Sequence, residues 1–415
     1  MKIAVIGSGM AGLAAARIMQ DAGHQVYVFE ALQGKGMDSH SLDIEGGIID
    51  SPLRVMNPSL WKQTLGLAKH VGIDMFQVNT YMSCNWLPQQ QEQYHRENTT
   101  WLTTSRTRLG RFPIINDAQL ARKYAPRLIK GWLQCSQAAK KFKKLPLEQQ
   151  QQFTLAQFIN TYQIDDYFWH GCMMPVLYTL CTCDAKTLGD WTAKPLIEFI
   201  QKMNRGESLL RMKGGTHGFV EALSRKLKFY SGAKVTQVEC LTDSVIVHNV
   251  QGISVEVDKV IVATPTHVID FLDEQQFSHE LTLLRKFRFS QGELVIHTDE
   301  NCMPQQKKHW SALSYLMDKQ FNQQMFSVWL NAVEPTLRGK QDIFQSWNPT
   351  ITLDPAKIID RVKLTRAIVD IHTAQHSQQL KDMQQQANRQ IYFCGSWFCD
   401  GLPVLESAVT SAIFV

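Results

Sequence analysis

The apolar positions open the chain as a continuous run, Ile3-Ala4-Val5-Ile6, which enters a turn carrying glycines at 7, 9 and 12. An Ala/Leu/Met-rich stretch follows, and then a second apolar run, Val26-Tyr27-Val28-Phe29, which stops at Glu30. Short β-branched runs bounded by turn residues predict buried strands, with a helix between them. Leu42–Asp50 reads as a hairpin around Gly46-Gly47, and Trp61–Val71 has helical spacing in Trp61, Leu65 and Ala68. The pattern changes between about 76 and 205: residues 87–95 are Gln-rich and read as a loop, and 117–145 and 154–202 read as helices broken by Pro126, Pro146 and Pro175. At Lys213-Gly214-Gly215 a glycine turn again leads into a short helix. Strands are then predicted at Ala233–Val238, Ser244–Val247, Ser254–Val257 and Lys259–Pro265. Four more follow at 293–297, 311–315, 325–330 and 343–347, short, aromatic and without intervening helices, which predicts an antiparallel sheet. The chain closes on a strand–turn, Gln390–Ser396, and a helix over Val404–Ala412.

The first thirty residues form a complete βαβ dinucleotide-binding pattern, G-x-G-x-x-G with an acid eighteen residues past the last glycine. Gly7 allows the tight turn, Gly9 lets the backbone approach a pyrophosphate, and Gly12 lets the helix pack closely on the strand. The helix N-terminus then offers unpaired N–H groups to phosphate, and Glu30 stands where it can accept from a ribose hydroxyl.

Length and composition narrow the class. The 415 residues, 44% hydrophobic, suit two connected domains with a large core, and a net charge of +5 does not argue for nucleic acid. No apolar stretch is long enough to span a bilayer, and the first residues already form a strand, so a cytoplasmic protein is expected. The nine cysteines are scattered without a CxxC pair, which predicts reduced core thiols, and no metal spacing of His is present. One local bias stands out: eight Lys/Arg (Arg122, Lys123, Arg127, Lys130, Lys140, Lys141, Lys143, Lys144) lie between Ala118 and Leu147 with no acid. Two readings of this 122–144 segment stand: a solvated helix face, or contact with anionic lipid or an acidic acyl-carrier protein, the cations interleaved with Leu128, Ile129, Trp132, Leu133 and Phe142.

The ordered motifs together resemble the FAD-dependent amine oxidases and phytoene-desaturase-like flavoproteins. They are the βαβ unit with Glu30, the Lys213-Gly214-Gly215 turn with the Ala233–Val238 strand, Val260-Ile261-Val262-Ala263-Thr264-Pro265, and Phe393-Cys394-Gly395-Ser396 with Gly401–Ser411. Val295-Ile296-His297-Thr298-Asp299 with Met303-Pro304, Asn331 and Asn348-Pro349 is similar to a bacterial branch of predicted NAD/FAD-binding, amine-oxidase-like proteins, whose members often occur beside enzymes that modify fatty acyl chains. The resemblance implies an α/β fold: a discontinuous Rossmann-type FAD-binding domain (1–75, 206–285 and 386–415) and a second α+β substrate domain. The latter has a mainly helical part at 76–205 and an antiparallel sheet at 286–385.

The resemblance also implies FAD contacts for Gly7, Gly9, Met10, Ala11, Gly12, Glu30, Ala31, Lys35, Arg54, Val235, Ala263, Thr264, Gly395, Ser396, Leu405, Glu406 and Ser407, with the last helix pointing its N-terminus at the flavin. Two positions depart from the family pattern. No Arg follows the acid, where Lys35 stands in Gly34-Lys35-Gly36, and Ser396 replaces the usual acid after Gly395. Both changes predict weaker FAD binding, since Lys lacks the rigid fork of Arg and Ser carries no charge.

No catalytic residue is fixed by the sequence. His297 and Asp299 share a strand face and read either as an acid–base pair or as structure; Tyr178 reads either as chemistry or as pocket wall. Arg54 is a candidate flavin or substrate contact, and Trp397 and Phe398 are candidates for an aromatic cage around an amine. Cys394 and Cys399 flank the flavin segment, but their local pattern differs from cysteinyl-flavin members. The expected function is an FAD-dependent oxidoreductase acting on an apolar substrate (fatty acyl or polyene) or on an amine, with oxygen or another acceptor reoxidising the flavin. A flavin-dependent double-bond isomerase and a non-enzymatic scaffold are the alternatives.

Overall fold

The computed structural model describes residues 1–87, 100–107, 110–115, 118–203, 208–398 and 401–415. The Gln-rich stretch, Leu87 apart, and Cys399 lie outside the described residues.

A five-stranded parallel sheet runs in the order Lys228–Tyr230, Gln25–Phe29, Lys2–Ile6, Lys259–Val262, Ile391–Phe393. Its strands read as unbroken apolar runs because both faces are covered, as parallel sheets require. Ile3, Val5, Val26, Val28 and Ile261 face a cluster with the helices Met10–Asp21, Gly215–Ser224 and Leu405–Phe414. The alternate residues, Ala4, Ile6, Tyr27, Phe29, Val260, Val262 and Phe393, face the opposite cluster. There they meet a three-stranded antiparallel sheet (Val235–Cys240, Val245–Asn249, Ser254–Val257) and Leu380 and Met383 of the helix Thr373–Gln384.

A second, eight-stranded sheet has the order Ile358–Ala367, Phe289–His297, Phe344–Trp347, Gln324–Trp329, Leu313–Met317, Met82–Trp86, Thr100–Thr107, Gly110–Ile114. The expected antiparallel strands are there, but the 76–205 segment, expected to be mainly helical, adds three more. One of these, Met82–Trp86, pairs parallel with Leu313–Met317. The strand Met82–Trp86 escapes the hydrophobic pattern because buried Ser83 and Asn85 interrupt its apolar run. Buried Asn85 bonds Ser314, the Tyr315 carbonyl and Thr100 across the sheet. The expected boundary after residue 75 also falls on a strand, Met75–Val78, which pairs with Leu209–Met212.

The helices at Leu155–Tyr162, Met174–Cys181 and Ala193–Met203 contribute to the core of the second domain. Pro126 does not break its helix, which runs from Ala118 to Phe142. Pro126 is on the exposed side, and buried Tyr124, Leu128, Cys135 and Phe142 anchor the helix before and after it, outweighing the lost backbone bond. The eight described cysteines are free thiols, seven of them buried. Among the described residues no helix is long and apolar enough to cross a membrane, and no group of His, Cys, Asp and Glu is arranged to hold a metal.

Candidate functional site

The cradle begins where the first strand ends. Gly7 turns the chain at φ +97°, in the left-handed region that disfavours a side chain. A Cβ on Gly12 would stand 1.9 Å from the Gly7 carbonyl oxygen, so only glycine brings this helix so close to the strand. A Cβ on Gly9 would meet nothing within 4 Å. The first bond of the helix is Leu13 N–H to the Gly9 carbonyl at 3.0 Å, and no side chain caps its start, so the amides of Met10, Ala11 and Gly12 precede the ladder.

Glu30 is buried beside this loop. Its carboxylate accepts from Ser8 N–H (2.9 Å), Ser8 Oγ (2.7 Å) and Leu32 N–H (2.9 Å). Glu30 thus holds the glycine loop, and Oε1 keeps acceptor capacity for a ribose hydroxyl. Ala31 is exposed just past the strand. Lys35, expected beside the phosphates, pairs with Glu221 on the Gly215–Ser224 helix. Its flexible stem reaches that carboxylate, and its charge is compensated there. Val235 is buried at the head of its strand, near the Ala233 N–H that donates to the Glu30 carbonyl at 2.7 Å.

Ala263 continues the strand Lys259–Val262, its N–H bonding the Ile6 carbonyl at 2.8 Å, and Thr264 follows it. Gly395 N–H donates to Ser411 Oγ at 2.9 Å, tying the last strand to the last helix, and Ser396 is half-buried. Leu405 begins that helix, again with no side-chain cap. Glu406 and Ser407 differ from expectation. The Glu406 carboxylate accepts from Gln63 N–H (2.8 Å), Thr64 N–H (2.9 Å) and Thr64 Oγ (3.0 Å), capping the helix Lys62–His70, while Ser407 Oγ donates to the Leu402 carbonyl. Both serve the packing of the C-terminal helix.

A row of buried polar atoms lacks partners among the described residues: Asp38 Oδ1, Ser39 Oγ, Ser41 Oγ, Ser51 Oγ, Arg54 Nε, Thr216 Oγ and Thr264 Oγ. They come from the segments that follow the strands Gln25–Phe29 and Lys259–Val262, from the segment after the antiparallel hairpin of Leu42–Ile44 and Gly47–Ile49, and from the start of the Gly215–Ser224 helix. Leaving such atoms dry and unpaired is costly, so the row fits a long polar ligand beside the glycine loop. The residues present therefore fit FAD.

Two features were not legible in the motifs. Arg211, 1% exposed, donates to Asp50 Oδ2 at 3.1 Å and Glu334 Oε2 at 2.6 Å. Asp50 also accepts from Thr216 N–H at 2.6 Å, which needs a bare Gly215 alongside: a Cβ there would stand 2.6 Å from the carboxylate. This hub joins the hairpin end, the second glycine turn and the loop at 334. The second feature is a like-charged pair. Burial, with the charge of Arg366, pushes the Arg54 guanidinium down to about 10, Asp50 opposing. Arg366 donates to Thr182 Oγ (3.1 Å) and the Pro403 carbonyl (2.8 Å). Neither arginine has a carboxylate within ion-pair distance among the described residues. Nearby Leu180 and Leu402 touch both the second-domain core and the cluster around the C-terminal helix, which places Arg366 where the two domains meet.

The catalytic candidates separate. Tyr178 is in the last turn of the helix Met174–Cys181, which Thr182 terminates; burial, with Cys183 and Asp184, pushes its phenol up, so it stays protonated. His297 and Asp299 lie at the far end of the Phe289–His297 strand from Ser290, the partner of Arg366, seven residues or about 23 Å away. His297 is fully buried between Ser346 Oγ (2.8 Å) and the Asp299 N–H (3.1 Å). Burial opposes the Asp299 charge, but the amides of Asp354 and Asn301, with Lys357, hold its carboxyl below the usual range. These two residues build a strand–loop junction.

Burial also pushes His297 down to about 4 from 6.5. The unfolded chain therefore binds a proton that the folded one refuses, and stability falls as pH drops from 6.5 towards 4, by about 3 kcal/mol at the bottom of that window. His297→Gln is expected to flatten this part of the curve of melting temperature against pH. An unchanged slope would show that His297 is not the responsible group.

Trp397 and Phe398 form no cage. Both are buried in the cluster on the other face of the parallel sheet, where Trp397 Nε1 donates to the Thr264 carbonyl at 3.1 Å and its ring packs on Phe287. Cys394 is likewise buried in the core.

The flavin-containing amine oxidoreductase family model matches residues 10–350. The chain belongs to that family. No curated protein sequence matches the chain. Its fold is shared by solved structures of low identity. A proposed protoporphyrinogen oxidase from Exiguobacterium sp. 255-15 superposes with a TM-score of 0.68 at 14% identity, over 99% of this chain and 96% of that one. Putrescine oxidase bound to putrescine gives 0.64 at 13% identity, over 99% and 97%. A conjugated-linoleic-acid-producing fatty acid isomerase from P. acnes gives 0.63 at 15% identity, over 99% and 97%. The oxidoreductase and flavoprotein character expected from the motifs thus stands, with FAD as the cofactor.

Proposed function

We propose that the protein is an FAD-dependent oxidoreductase that takes hydride from an apolar chain, fatty acyl or polyene, rather than from an amine. The observation that carries this reading is the Arg54–Arg366 pair, two half-buried cations of which neither forms an ion pair with a carboxylate among the described residues. A site holding them repels a protonated amine and welcomes an electron-rich or anionic group. The burial of Trp397 and Phe398 on the opposite face of the parallel sheet points the same way. The helix Met174–Cys181 lends the junction an apolar wall through Val176 and Leu180.

FAD, when bound, supplies the hydride acceptor and returns the electrons to oxygen or another acceptor. Gly7, Gly9 and the Met10–Gly12 amides would hold its pyrophosphate and Glu30 its ribose. The start of the Leu405–Phe414 helix would favour negative charge on the ring system. The protein's part is to orient the substrate carbon and to exclude water, and no side chain is required as a base.

Purified protein, made anaerobic, is expected to lose its oxidised-flavin absorbance on addition of an unsaturated or branched fatty acyl substrate, and to keep it with putrescine or benzylamine. Bleaching by amines alone would sink the substrate assignment. Consumption of the acyl substrate to a product of equal mass would establish the isomerase instead.

A further inference from the structure

The helix Ala118–Phe142 has two unlike faces. Tyr124, Leu128, Gly131, Cys135, Ala138, Ala139 and Phe142 bury one of them. The other carries Ile129, Trp132 and Leu133 at 61%, 53% and 47% exposure. Their spacing of three and four residues makes them neighbours, so they form one apolar patch rather than scattered surface residues. Leu147, just past the helix, is 57% exposed as well.

Cations surround the patch. Arg127 is paired with Asp165 and stacked over Tyr167. The other seven, Arg122, Lys123, Lys130, Lys140, Lys141, Lys143 and Lys144, are exposed, and among the described residues none of them has an acidic partner. No acid occurs from Ala118 to Leu147; the neighbouring Asp165 is taken up by Arg127, and Glu148 stands just past the segment. Six of the seven are Lys, whose long stems lie along apolar surface while the ammonium stays with water and diffuse negative charge. A binding face for a structured acidic protein would favour the fixed fork of Arg. An exposed indole beside two aliphatic chains, ringed by lysines, matches the physical demands of a lipid interface, where rings sit at headgroup depth.

We propose that this face docks the protein on membranes containing anionic lipid, with Ile129, Trp132 and Leu133 entering the headgroup layer and the surrounding lysines meeting the lipid phosphates. The surface is separate from the cofactor cradle and does not depend on the substrate assignment. It would give the protein direct access to membrane-borne apolar molecules.

The test is co-sedimentation of the full FAD-loaded protein with phosphatidylcholine vesicles, with and without phosphatidylglycerol. Binding is expected only with phosphatidylglycerol, and it should fall steeply with added salt. Two variants separate the contributions: Ile129→Ser with Leu133→Ser, and Lys140→Gln with Lys141→Gln. Each should weaken binding about tenfold, with melting temperature and flavin content unchanged because the residues face solvent. Bromine-labelled lipid should quench part of the tryptophan emission, and that part should vanish in Trp132→Ser. Equal binding to both vesicle types, no binding to either, or variants that bind like the parent would overturn the proposal. So would capture by an acidic acyl-carrier protein with no affinity for vesicles.

Discussion

Gly9→Val is expected to leave the cofactor-free protein as stable as the parent while weakening FAD binding at least a hundredfold. The backbone at Gly9 is extended, φ −63° and ψ −178°, a conformation open to any residue. Its absent side chain also faces no protein atom within 4 Å. The space is nevertheless where a pyrophosphate must approach the loop, so a branched side chain excludes the ligand and not the fold. Gly12→Ala provides the contrast: its Cβ would collide with the Gly7 carbonyl, and the loss should appear in the melting temperature of the apoprotein. Calorimetric titration with FAD, alongside melting curves of the apo forms, reads both quantities. If Gly9→Val bound FAD like the parent, the glycine loop would not be the cofactor cradle.

The second large effect is expected at the buried hub. Arg211→Met removes the cation that Asp50 and Glu334 share and leaves two carboxylates, 2% and 4% exposed, without it. Breaking a buried pair from one side typically costs about 3–5 kcal/mol, against marginal total stabilities. The triple variant Arg211→Met, Asp50→Asn, Glu334→Gln should recover part of that loss, because neutral amides can pair where lone carboxylates cannot. Urea unfolding of the three proteins measures it. If Arg211→Met alone unfolded at the parental midpoint, the hub would carry no stability.

The cofactor half of this protein was legible because its demands are local. Gly7, Gly9 and Gly12 must be adjacent in sequence to bend one loop, and the apolar strands must lack polar positions because both faces are covered. The hub was illegible for the opposite reason. Asp50, Arg211 and Glu334 are brought together only by the tertiary fold, and nothing in their own neighbourhoods distinguishes them from surface charges. Arg366 was hidden likewise: its strand, Ile358–Ala367, alternates charged and apolar residues like an ordinary edge strand, and its partners Thr182 and Pro403 come from distant segments. The motif containing His297 and Asp299 was visible, but its role was not, since strand periodicity gives a shared face and not the identity of what faces it. The same limit applied to Glu406 and Ser407: the helix motif gave their address, and helix Lys62–His70 and Leu402 had already claimed their polar groups.

The order of the parallel sheet bears on how the protein is made. Its central strand, Lys2–Ile6, pairs with Lys259–Val262, which in turn pairs with Ile391–Phe393. Synthesis must therefore pass Phe393 before the sheet can close, and the glycine loop must wait, already synthesised, for partners hundreds of residues downstream. Contacts of such separation form late and slowly. A chain that stops short of Ile391–Phe393 lacks both that edge strand and the helix Leu405–Phe414 that packs on the sheet behind the glycine loop.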